Sequence, residues 1–161
     1  MAEVNTLEEK LAEVTGLARA SQDATEKIEG MVEDEEAQEV LARMREEAEE
    51  TERRCNEVID QREGKKTAIL DKAQETKSEA GEMMAAYLGD ESDGLDGFEF
   101  LTMSEAGEVG HWEILGKLNE TAGEQPIAEL VEWALPIQER HLQQSRECSL
   151  KLAGEEDPYE E

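Results

Sequence analysis

Cysteine, proline, histidine and positive charge are all scarce in this chain. Two cysteines in 161 residues, Cys55 and Cys148, are too few for a disulfide framework, so free thiols are expected. Lys and Arg total 16 against 43 Asp and Glu, a net charge of -27. A field of that sign repels phosphate backbones and anionic lipid, which argues against nucleic-acid and membrane-surface partners; it serves first as a solvated surface for solubility or life in high salt, and second as a field that would gather metal cations. No run approaches the roughly 20 apolar residues that a membrane span needs. The opening Met1-Ala-Glu-Val-Asn5 has neither a basic stretch nor an apolar core for export, and a cytoplasmic location is expected. There is no Gly-rich phosphate loop, no Cys-x-x-Cys, and no Ser or Cys nucleophile with a base nearby.

What is abundant is glutamate. Of the acids, 35 are Glu and 8 are Asp. Glu tolerates helix interiors far better than Asp, so the acidity belongs mostly to helix surface. Apolar residues recur at threes and fours in two stripes, the first through Leu11, Val14, Ala18, Thr25, Ile28 and Val32. The second runs through Ala37, Val40, Leu41, Met44, Ala48, Thr51, Cys55, Val58 and Ile59. Thr6 and Glu9 read as a capping box opening the first helix. The spacing predicts helices over 6–32, 35–62, 67–88, 96–121 and 126–153, with an acidic tail at 154–161. Gly89 to Gly97 reads as loop, and Gly123 to Pro126 as the turn between the last two helices. The length suits a single all-α domain over 1–161.

The segment at 67–88 bears on topology. A helix of about 21 residues covers roughly 30 Å, close to the length of the bundle it would serve. It can carry the chain from one end to the other, so that the second hairpin starts where the first did; a separate docking helix on a different path is the alternative. The expected architecture is an up-down-down-up four-helix bundle with an extra helix in the long crossover.

The only two histidines, His111 and His141, lie on the last two helices at similar expected depths, each near carboxylates. Glu108 and His111 are three apart and can share a helix face. Glu105 lies one turn before Glu108, and Gln138 and Glu139 lie opposite. In the first hairpin Glu47 borders the core stripe and Glu50 follows three residues on, with Gln22 or Glu26 across from them. Carboxylates with imidazoles at mid-bundle depth are a ligand set that iron and manganese accept. Gly107 and Gly110 beside Glu108, and Pro136 just before Gln138, each cost helix stability, which fits a close approach at a site. The alternative is two neutral core histidines bonded to carboxylates, a solvated Glu run, and Trp112 and Trp133 as simple packing anchors.

Glu47-Ala-Glu-Glu50-Thr51, Glu108-Val-Gly-His111-Trp112, the long crossover and the acidic close of the last helix resemble the ferritin-like di-iron superfamily, most of all its small stress-associated bacterial members. The resemblance implies a bundle that binds two metal ions and handles oxygen, peroxide or stored iron. It also implies a lone Glu on the first and third bundle helices and a Glu-x-x-His on the second and fourth. Here the second helix has Glu50 in place of the His, and the fourth has Gln138 in place of the Glu. One ion or an unequal pair is therefore expected over a full di-iron centre, with Glu47, Glu50, Glu108, His111, Glu139 and His141 as metal ligands. Iron or manganese is the expected cofactor, metal cations the expected partners, and a homo-oligomer is left open. An iron-dependent oxidase or peroxidase activity would need the fuller site. The competing function is a metal-free scaffold acting through its surfaces.

Overall fold

The computed structural model describes residues 2–161 and contains five helices and no strand among them. They are α1 (Thr6–Glu29), α2 (Glu35–Asp60), α3 (Lys66–Tyr87), α4 (Gly94–Ala122) and α5 (Gln125–Glu155). The expected all-α class holds, and the boundaries shift where capping chemistry decides them.

Asn5, not Thr6, caps α1. Its side chain accepts from the Glu8 backbone N–H at 2.8 Å, and Glu8 accepts from the Asn5 N–H at 3.0 Å. The box therefore sits one residue earlier than expected. α1 ends at Glu29, with Gly30 as its C-cap, and Val32 packs from the following turn. α4 starts at Gly94 inside the expected loop, because Asp93 and Asp96 form a second capping box. The glycines there serve packing. A Cβ on Gly94 would stand 2.8 Å from Val32 Cγ1, and one on Gly97 would stand 3.0 Å from Ile28 Cγ2. Gly123 adopts φ 65°, the left-handed conformation that ends a helix cheaply, and Pro126 falls in the first turn of α5.

Two apolar clusters give the helix directions. One joins Leu11 and Val14 of α1, Cys55 and Ile59 of α2, Ile69 and Ala73 of α3, Trp112 and Leu115 of α4, and Ile127 and Leu130 of α5. The other joins Ile28 of α1, Leu41 and Met44 of α2, Leu88 after α3, Phe98 and Leu101 of α4, and the flanking Cys148 and Leu152 of α5. Early α1 thus meets late α2, early α3, late α4 and early α5, and each helix reverses the one before it.

α2 packs on α1 and α5, and α4 packs on the same two helices, so these four enclose an interior. α3 lies outside, mainly against α1, and fully buries only Ile69 and Ala73. Its seat on α1 is set by Gly16, where a Cβ would fall 2.4 Å from the Ala73 carbonyl oxygen. No helix is long and apolar enough to cross a membrane among the described residues. Both cysteines are free thiols, as expected, and burial pushes Cys55 up to about 12, which leaves it unreactive at neutral pH.

Candidate metal centre

Between the two apolar clusters the inward stripes turn polar. On α1 the buried position between Ala18 and Ala24 is Ser21. On α4, Glu105 and Glu108 occupy the two positions between Leu101 and Trp112. On α5, Gln138, His141 and Ser145 follow Ala134. Glu105, His141 and Ser145 are 0% exposed, and Glu108 and Gln138 are 1% exposed.

The two glutamates and Gln138 form one contact. The end of the Gln138 amide facing α4 lies 3.0 Å from Glu105 Oε2 and 3.0 Å from Glu108 Oε2; with nitrogen at that end it donates to both. Ser21 Oγ donates to Glu105 Oε1 at 3.3 Å. Among the described residues no Lys or Arg pairs with either carboxylate. Burial without a cation drives both towards the neutral acid. It pushes Glu105 up to about 8 against the pull of Ser21, and it pushes Glu108 well above the carboxylate range, helped by the charge of Glu105.

His141 links this interior to the surface. Its Nε2 lies 3.2 Å from Glu47 Oε1, which makes Nε2 the protonated nitrogen of the neutral ring. Nδ1 is left with a bare lone pair, buried and without a hydrogen-bond partner, 3.8 Å from Glu105 Oε2. Burial lowers the His141 pKa, and Glu47 only partly restores it. Glu47, with its side chain 20% exposed, is gripped by Arg140 through both oxygens, one at 2.9 Å, with Arg43 at 3.6 Å. Burial pushes its carboxyl up, but Arg140 and His141 outweigh that and hold it below the usual range.

Three of the six expected ligands therefore meet at this level: Glu108 and His141 inside, and Glu47 behind His141. The other three do not. His111 lies half-exposed at the edge of α4, its Nδ1 2.7 Å from the Gly107 carbonyl and its Nε2 3.6 Å from Glu13, because Trp112 takes the inward position of that turn. The two rings do not share one interior space. Glu50 pairs with Arg53 and Arg54 on the outside of α2, one position round from the buried Thr51. Glu139 is exposed, one position round from Gln138. Gly107 and Gly110 mark no close approach, since nothing lies within 4 Å of a Cβ at either. Gln22 bonds Glu52 at 2.9 Å, and Glu26 is exposed. The residue missing from the expected set is Glu105, whose signal was its place one turn from Glu108, directly between Leu101 and Trp112 on the core stripe.

Among the described residues no group of three or more His, Cys, Asp or Glu side chains stands ready to hold a metal ion. A two-metal centre does not fit these residues: Glu47 is committed to Arg140, Glu50 faces outward, and Gln138 carries no charge. A single ion asks for fewer donors. Two donors at right angles, each about 2.1 Å from a shared ion, stand about 3.0 Å from each other. That is the spacing of Gln138 to each glutamate. If the amide turns its oxygen inward, it offers a third oxygen beside the two glutamates, and the bare Nδ1 of His141 stands 3.8 Å from one of them, with Glu47 accepting from the opposite ring nitrogen as carboxylates behind metal-bound histidines do.

No protein-family model matches the chain, and no curated protein or solved structure matches it either.

Proposed function

We propose that this chain is a ferritin-like, up-down-down-up four-helix bundle with α3 in the crossover, and that its interior binds one divalent first-row ion, manganese or iron(II). The helix order and the enclosure by α1, α2, α4 and α5 support the architecture. One observation carries the ion: two buried glutamates share the Gln138 amide, a bare imidazole nitrogen stands 3.8 Å from one of them, and no basic side chain among the described residues balances them. Two carboxylates, a neutral imidazole and a neutral amide sum to -2, which one divalent ion cancels. A second ion would leave positive charge stranded in a poorly polarisable interior. Holding one such ion suits a role in iron, manganese or oxidative-stress handling.

The second reading is a metal-free scaffold. It is favoured by the Gln138 amide, which with nitrogen inward satisfies both glutamates in their neutral forms. Elemental analysis of protein purified without chelator, followed by Mn²⁺ titration, separates the two. The expected result is one ion per chain, affinity lower by about 10–100-fold or more in His141→Ala and Glu108→Gln, and no change in His111→Ala. Absence of bound metal, or equal metal in His141→Ala, would establish the scaffold instead.

A further inference from the structure

Glu105, Glu108, Gln138 and His141 are at most 1% exposed, so an ion reaches the buried cluster only if a side chain moves. Three sides are closed. Ser21 of α1 bonds Glu105 directly, the Trp112 layer lies towards one end, and Leu101 with Met44 lies towards the other. The fourth side is the seam between α2 and α5, the least extensive of the four seams around the interior. There the order of groups from water inward is Arg43 and Arg140, then Glu47, then the His141 ring, then Glu105. Their side-chain exposures fall in the same order, with Arg43 at 62%, Arg140 at 30%, Glu47 at 20% and His141 at 0%.

We infer that the Arg140–Glu47 pair is a latch over the ion site: it sets how fast a divalent cation enters and leaves, while taking no part in holding the ion at rest. This rests on the single-ion reading above. On a surface otherwise strongly negative, the mouth of this seam presents two guanidinium groups to an arriving cation. The one carboxylate that could receive the ion is occupied through both of its oxygens, a charge-assisted pairing that must open first. Opening frees Glu47 to take the ion and releases the His141 ring, whose hydrogen bond to Glu47 otherwise fixes it across the passage. Arg140 is thus a positioning residue. It acts through Glu47 and touches no proposed ligand except that carboxylate's partner ring by way of it.

The test is stopped-flow uptake of Co²⁺, read from its visible absorbance, by the full-length protein. Arg140→Gln should load and release Co²⁺ about tenfold faster than the unaltered chain, with the same end point of one ion per chain. Arg140→Lys, which keeps the charge but not the two-pronged grip, should fall between and guards against misfolding of the first variant. Arg45→Gln, which breaks a similar ion pair to Glu29 away from the seam, should load at the unaltered rate. Loading of Arg140→Gln and Arg140→Lys at the unaltered rate, or a changed end point at unchanged rate, overturns the latch and leaves the ion site standing. If the unaltered chain shows no Co²⁺ end point at all, the ion site itself has failed, and the latch goes with it.

Discussion

Glu105→Gln isolates the cost of burying an acid where no cation pairs with it. In the unfolded chain the carboxyl titrates near 4.5, and in the fold burial pushes it up to about 8. Between those values the native state keeps a proton that the unfolded state has shed, so the stability associated with this group is complete below pH 4.5 and is lost as pH rises towards 8. At about 1.4 kcal/mol per pH unit, the loss reaches about 3 kcal/mol at pH 7 and about 5 kcal/mol once both states are ionised. Gln has the shape of the protonated acid, keeps the bond from Ser21, and cannot ionise. In the presence of chelator, urea unfolding should therefore show the two proteins equal near pH 4.5 and Glu105→Gln more stable by about 3 kcal/mol at pH 7. Repulsion among the many surface acids also weakens the fold as pH rises, but it is nearly common to both proteins and drops out of the difference. Added Mn²⁺ should stabilise the unaltered chain and leave Glu105→Gln nearly unmoved. Parallel stability curves from pH 4.5 to 8 would refute the reasoning, because they would mean that Glu105 reaches water or a counter-charge.

Gly16→Ala should destabilise by about 1–3 kcal/mol in urea, because its Cβ would meet the Ala73 carbonyl oxygen at 2.4 Å and Thr76 Cβ at 2.8 Å, both on α3. A neutral effect would mean that α3 is not seated on α1. Arg62→Ala removes the 2.8 Å partner of Glu8, an acid with a side chain only 2% exposed, and leaves Lys65 at 3.3 Å. It should cost about 2 kcal/mol at neutral pH. Burial raises the Glu8 carboxyl, but the Asn5 backbone N–H, Arg62 and Lys65 prevail and lower it overall. The stability this acid contributes is lost as pH falls through its depressed value, and the deficit measured by thermal melting should shrink below about pH 4.5.

The helices were legible because their stripes are strict. Leu11 to Ile28 and Ala37 to Ile59 are the buried faces of α1 and α2, and Gly123 and Pro126 mark the last turn by backbone chemistry that allows little else. The start of α4 was hidden because Asp93-Gly-Leu-Asp96 has loop composition while forming a cap, and only the packing of Gly97 on Ile28 shows why glycine is there. At the site, the sequence gives no rule for choosing between i+3 and i+4. From Glu108 those steps lead to His111 and Trp112, and the larger apolar volume took the interior. The same one-position ambiguity placed Glu50 beside Thr51 and Glu139 beside Gln138, and in each case the neighbour is the buried residue. Charge misled as well. Glu50, in the run from Glu46 to Glu52, faces outward as a charge run normally does, whereas the buried acids are Glu105 and Glu108, which stand outside any such run.

The most direct measurement is an anomalous-difference map from crystals of the protein grown with Mn²⁺. One peak per chain is expected, bounded by Glu105, Glu108, Gln138 and the Nδ1 of His141. An interior without any peak, or a single peak at His111 and Glu13 on the outer edge of α4, would contradict the account.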